Sequence, residues 1–193
     1  MRKQHQLSYS RSCFAILLGL CLTLPGSITG QGGQRQYAGD YSAIENVITD
    51  LYRTVSFDPG GEPDWERLRL LLFTDAVFVM RARMPVAMQK YSTEEFIDLF
   101  RRDIETYNMR DTGFNERVAG YSLDSFGRLA HAYVVYEVRL RPEDEQPLQK
   151  GVDSLQLVRS EGRWWIASIA NDIETPDNMI PERFYENKPG ERD

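Results

Sequence analysis

From about Phe114 onward the hydrophobic period of this chain changes from helical to two, and that switch constrains the fold more than any figure of composition. Residues 129–141 carry it most cleanly. Ala130, Ala132, Val134, Tyr136, Val138 and Leu140 point one way; His131, Tyr133, Val135, Glu137 and Arg139 point the other. Residues 114–123 read as the preceding strand, turned by 124–127. Residues 142–149 form a polar loop, 152–159 return, and Glu161-Gly162 turns into a last strand over 164–173. The second half is therefore a meander of four strands.

The first half has the other period. Ser42 opens a capping box with Glu45, followed by Ile44, Val47, Ile48, Leu51, Tyr52 and Val55 at helical spacing. Asp58-Pro-Gly-Gly breaks that helix. Asp64 caps a second, with Trp65, Leu68, Leu71 and Leu72 as its buried stripe. A short strand over 76–81 comes next. Ser92 and Glu95 then form another capping box, and Phe96, Leu99, Phe100, Ile104 and Tyr107 share one side of the third helix. Helices first and strands after argue an α+β class rather than βαβ repeats.

The last strand poses a packing question. Trp164 shares a side with Ile166, Ser168 and Ala170, and Trp165 with Ala167, Ile169 and Asn171, if alternation is unbroken. Both sides are mostly apolar, so both tryptophans need cover. One is expected to line the interior. The other is expected either at a dimer seam or under the chain's own C-terminal tail or a helix edge.

The N-terminus reads as a secretory signal peptide. Arg2, Lys3 and Arg11 precede an apolar run over 13–24 (CFAILLGLCLTL), then a Pro-Gly break and small residues to Gly30. The run is too short to span a bilayer comfortably. A lipoprotein site at Cys21 would follow the bulky Leu20. The expected organisation is a signal peptide over 1–30, a flexible tether over 31–39, one domain over 40–175 and a C-terminal tail over 176–193, exported to the periplasm or medium.

Composition limits the chemistry. The formal net charge is −6, and loss of the basic leader makes it more negative, which disfavours nucleic acid and anionic membranes as partners. Both cysteines, Cys13 and Cys21, and His5 lie in the leader, so His131 is the only histidine beyond it. A zinc site of the Cys/His kind cannot be built from such a set, and no metal or cofactor is expected. The acidic loop PEDEQ lacks calcium-loop spacing, and DPGGEP opens no phosphate-binding fingerprint.

Two helices, the second with a Trp near its start, then LLFTDAVFV, a third helix and long strands ending in EGRWWIASI together resemble the nuclear transport factor 2-like superfamily. The likeness is to its SnoaL-like members (polyketide cyclase/ketosteroid isomerase-like), which include exported bacterial proteins of unknown activity. It spans roughly residues 40–180. It implies a cone-shaped, cystatin-like fold, with three N-terminal helices packed on a curved, mostly antiparallel sheet. It also implies a cavity at the wide end and frequent dimerisation through the sheet's outer face. Isomerases, dehydratases, epoxide hydrolases, cyclases and non-catalytic binding or accessory domains share this fold, so fold alone does not choose among them.

Candidate residues follow from chemistry. His131 is a base of near-neutral pKa, or a histidine of the outer sheet face or a dimer interface. Tyr52 lies in the first helix's stripe, where the resemblance to ketosteroid isomerase implies a hydrogen-bond donor; the alternative is a core tyrosine. Asp75 is a base if buried and a turn cap if not. Asp153 and Asn171 lie on late strands, where the superfamily often places cavity polar groups, but a one-residue slip would turn either outward. Arg81 is a site for an anionic group or a surface ion pair, and Trp164 and Trp165 are candidate ligand walls. The leading expectation is an exported homodimer holding a small hydrophobic molecule in an internal cavity. The alternatives are a cofactor-free isomerase, dehydratase or cyclase using a carboxylate or His131 with a Tyr donor, and a structural or accessory dimerisation module.

Overall fold

A computed structural model describes residues 39–82, 87–141 and 144–189. The expected signal peptide and residues 31–38 of the expected tether lie outside the described residues. In chain order the elements are α1 (Ile44–Val55), α2 (Trp65–Leu71), β1 (Leu72–Ala82), β2 (Ala87–Ser92), α3 (Thr93–Thr106), the one-turn α4 (Met109–Thr112), β3 (Asn115–Phe126), β4 (Leu129–Arg139), β5 (Gln149–Ser160) and β6 (Arg163–Ile173), followed by a 3₁₀ turn (Glu182–Tyr185). The six strands form one sheet in the order β2-β1-β6-β5-β4-β3. Every pairing is antiparallel except β1–β6, where the chain, having left β1 for β2 and the helices, returns alongside it in the same direction. This is an α+β fold with helices on a mostly antiparallel sheet. Strand β2 was not among the expected strands, because AMQKYS has only Met88 and Tyr91 as sizeable apolar side chains and is exposed along most of its length.

Local chemistry accounts for most of the boundaries. The α1 stripe is buried as its spacing requires. Its N-terminus differs from expectation: Ala43 is the N-cap and makes no side-chain bond. Ser42 instead gives both its N–H and its hydroxyl to the Asp40 carboxylate (3.0 and 2.5 Å). Asp40 thereby takes the backbone N–H that a capping box would give to the Glu45 carboxylate. At the other end, Ser56 Oγ donates to Tyr52 O (2.7 Å) and accepts from Glu116 N (2.9 Å), which fastens α1 to β3. Asp64 caps α2 through Arg67 N at 3.0 Å, and the Arg67 guanidinium forks onto the buried Asp50 carboxylate, which also accepts from Tyr41 OH (2.6 Å).

The capping box on α3 forms in full: Glu95 N donates to Ser92 Oγ (3.4 Å), and Ser92 N donates to Glu95 Oε2 (2.8 Å). Ser92→Ala is expected to cost about 1 kcal/mol in urea denaturation. An unchanged midpoint would mean that tertiary contacts alone hold this helix.

Two bulges set which side chains face the helices. Val118 pairs with Tyr136 and Gly120 with Val135, leaving Ala119 as the extra residue of β3. On β6, Ile166 pairs with Leu157 and Ser168 with Gln156, leaving Ala167 as the extra residue. Each extra residue resets the alternation and bends its strand. Trp164 and Ile166 therefore share a face with Ile169 and Asn171, contrary to the unbroken alternation expected from sequence. A larger irregularity spans residues 73–76 of β1, where Asp75 adopts a left-handed φ of 57° and is exposed.

The outer face of β3 and β4 is partly covered by the C-terminal segment. Phe184 stacks on Tyr133 with centroids 4.3 Å apart, and Tyr121 and Asn187 exchange two backbone bonds of 2.9 Å. Gly120 permits this approach, since a Cβ there would sit 2.9 Å from Tyr185 Cα. Trp165, on the other side of β6 from Trp164, is covered by its own chain: the Arg163 guanidinium lies 3.8 Å from its ring centroid and Phe73 meets it edge-on.

Candidate active site

Between the helices and the inner face of the sheet lies a cavity of about 820 Å³. Leu51 and Val55 of α1, Phe78 of β1, Phe96 and Phe100 of α3, and Ile169 of β6 supply apolar wall. Such a volume suits a small organic molecule held by a few polar contacts.

The polar contacts come from four elements at one end. Helical spacing puts Tyr52 on the same face as Ile48 and Val55, aimed at the sheet. Strand alternation brings Tyr136 of β4, Asp153 of β5 and Asn171 of β6 to the inner face, with Asp153 and Asn171 directly paired. Tyr52 OH donates to Asp153 Oδ2 at 2.7 Å. Asn171 Nδ2 donates to Asp153 Oδ1 at 2.8 Å and to Tyr136 OH at 2.9 Å. Gln149 Nε2 reaches the same hydroxyl at 3.5 Å. The Tyr136 oxygen is thus an acceptor twice over, while its proton has no acceptor among the described residues. The Tyr52 and Tyr136 rings stack with centroids 6.3 Å apart, closing that end of the cavity.

Glu116 of β3 completes the group. Its backbone is tied to Ser56, and its carboxyl borders the cavity without a hydrogen-bond partner among the described residues. Burial pushes its pKa up to about 8, and the neighbouring Asp153 charge adds to the rise. Burial likewise pushes Asp153 up to about 6, opposed by the bonds from Asn171 and Tyr52. Burial first, then the Asp153 charge, raises both tyrosine hydroxyls above their ordinary value, so they act as neutral donors. Two carboxyls that share a cavity yet sit apart in pKa leave one ionised and one mostly protonated at neutral pH. Among the described residues no group of three His, Cys, Asp or Glu is arranged to hold a metal ion.

Of the residues singled out in the sequence, Tyr52, Asp153 and Asn171 meet in this network. Arg81 borders the cavity and pairs with Asp172 at 3.6 Å. Trp164 is buried in the core but does not line the cavity, and Trp165 lies on the other face. Asp75 is exposed in the β1 irregularity. His131 is on the face of β4 turned away from the cavity, with Nε2 2.9 Å from Ser154 Oγ and its ring edge-on to Tyr133. Glu116, Tyr136 and Gln149 were not singled out. Tyr136 carried a signal, as the one polar-tipped side chain on an otherwise apolar strand face. Glu116 did not, because the Ala119 bulge disguises the inward face of β3.

No protein-family model and no curated protein matches this sequence. Solved structures do match in fold. One is a protein of unknown function with a cystatin-like fold from Nostoc punctiforme, 13% identical, with TM-score 0.52 over 69% of this chain and 90% of that one. Another is an NTF2-like protein with a cystatin-like fold from Novosphingobium aromaticivorans, 15% identical, with TM-score 0.51 over 70% of this chain and 83% of that one. The chain has the cystatin-like fold of the NTF2-like proteins.

Proposed function

We propose that the cavity is an active site for proton transfer on a small, mostly apolar molecule. Asp153 takes the proton, and the Tyr136 hydroxyl donates to the oxygen on which negative charge builds. One observation carries this reading: a single amide nitrogen, Asn171 Nδ2, holds the Asp153 carboxylate at 2.8 Å and the Tyr136 hydroxyl at 2.9 Å, both beside the cavity. Their oxygens therefore lie within about 6 Å of one another, a spacing that suits a carbonyl and the proton on its neighbouring carbon. A carboxylate with its pKa raised to about 6 is ionised at neutral pH and more basic than an exposed one. Tyr52 and Asn171 orient it. The reaction class is an isomerisation or dehydration that begins with removal of a proton next to a carbonyl. The apolar run over 13–24 supports export, so that the activity resides in the periplasm or the medium.

The test needs no known substrate. The protein is incubated with a panel of apolar ketones in D₂O, and exchange next to the carbonyl is followed by proton NMR. Catalysed exchange is expected, falling roughly 10²–10⁴-fold in Asp153→Asn and about 10²-fold in Tyr136→Phe. Exchange no faster than in buffer for every ketone, or unaltered in Asp153→Asn, defeats the reading.

A further inference from the structure

We propose that the molecule this cavity takes is an organic cation, an apolar skeleton carrying a protonated amine that pairs with Glu116. The inference rests on the cavity being the functional site, and it concerns a carboxyl that the proton transfer leaves unused.

Among the described residues the carboxyls of Glu116 and Asp153 line the cavity with no cation beside them, and the base that borders it, Arg81, already faces Asp172 at 3.6 Å. The Glu116 carboxyl has neither a cation nor a hydrogen-bond donor beside it among the described residues. A half-buried carboxyl on a cavity wall in that state has room for a partner. Tyr136 points independently to cavity contents. It is 3% exposed, it lines the cavity, and its hydroxyl proton is unused. The walls add a third feature. Phe78 and Phe96 stack at 4.2 Å, and Phe100 and Phe114 meet edge-to-face at 5.3 Å, all four bordering the cavity. Aromatic faces attract a desolvated cation. A neutral molecule gains no charge pairing at Glu116, while an anion would be repelled by Asp153. The formal net charge of −6 on the chain disfavours anions further.

Among the described residues the titratable and charged groups that line the cavity with Glu116 are Tyr52 from α1, Asp103 from α3, Tyr107 just beyond it, Arg81 from β1, Tyr136 from β4 and Asp153 from β5. Glu116 and Asp153 change charge across the neutral range. An amine arriving near pH 7 therefore displaces the Glu116 proton, and its affinity rises with pH until the amine itself loses its charge.

The experiment is calorimetry with three probes of one skeleton: 4-phenylbutylamine, 4-phenylbutan-1-ol and 4-phenylbutyrate. Near pH 8 the amine is expected to bind at least roughly tenfold tighter than the alcohol, and the carboxylate weakest of the three. The amine's advantage shrinks toward pH 5, and its binding at pH 7 releases protons into the buffer. Glu116→Gln is expected to bring amine and alcohol to within about twofold of each other; Asp153→Asn, expected to narrow the gap in the same direction, is the second arm if the first variant fails to fold. Alcohol binding as tight as amine near pH 8, or a preference untouched by both substitutions, overturns the proposal while leaving the cavity a binding site. Binding of none of the three overturns both.

Discussion

Glu116→Gln is expected to make the protein more stable near pH 8, by about 2–5 kcal/mol, and to abolish most of the loss of stability that the unsubstituted chain suffers between about pH 5 and pH 8. The folded pKa of this carboxyl is raised from 4.5 to about 8, so the folded state holds a proton that the unfolded state releases. Below pH 4.5 both states are protonated and Glu116 contributes nothing to the difference. As pH climbs through the interval only the unfolded chain ionises, and stability falls. Above the folded value the whole penalty of a partly desolvated, unpaired charge is present. Glutamine has the same shape and never ionises, which removes the slope. Asp153, raised from 3.8 to about 6, adds a smaller decline of the same sign that ends near pH 6 and that Glu116→Gln leaves in place. Urea titrations at pH 5 and pH 8 read both effects. Equal loss of stability in the two proteins over that interval would show that water solvates Glu116 freely.

Gly151→Ala is expected to cost about 2–3 kcal/mol and to disconnect the Tyr136 hydroxyl from its network. Gly151 pairs with Tyr136 across β4 and β5, and the absence of a side chain lets the phenol lie over the neighbouring strand. A Cβ at 151 would overlap the Tyr136 hydroxyl and approach the Asp172 carbonyl to 2.7 Å. The carbonyl belongs to paired β6 backbone and cannot yield cheaply, so the ring must swing and lose its 2.9 Å bond from Asn171. Two readouts should move together: the denaturation midpoint falls, and ketone exchange drops to the level of Tyr136→Phe. Wild-type exchange in a destabilised Gly151→Ala protein would separate Tyr136 from the chemistry.

These two positions mark the limit of what was legible beforehand. The change of period near Phe114, the Asp64 cap and the Ser92–Glu95 box were readable because each depends on residues within a few positions of one another. The Ser42 cap misled, since the Asp40 carboxylate, as able an acceptor as that of Glu45, takes the Ser42 N–H, and propensity does not rank that competition. Tyr52 stood out as a polar-tipped residue within an apolar stripe, and Asp153 through the resemblance, which places cavity polar groups on late strands. Glu116 was hidden by the extra residue Ala119, and the tryptophan pair was assigned to the wrong companions because of Ala167. A bulge conserves composition and changes only parity, so no count along the chain reveals it.

The sequence by itself determined that amphipathic helices in the first half give way to a meander of two-sided strands, and that one face of β4 is apolar but for the hydroxyl of Tyr136. Those properties live in hydrophobic period and capping, which act over a turn or two of chain. The tertiary structure alone decided that β6 returns parallel to β1, that the two bulges aim Glu116 and Asn171 inward, and that His131 faces away from the cavity. It also brought Tyr52 and Asp153, 101 residues apart, to 2.7 Å. Pairing across distant strands and enclosure by helices are what raise the two carboxyls in pKa, and neither exists until the chain has closed on itself.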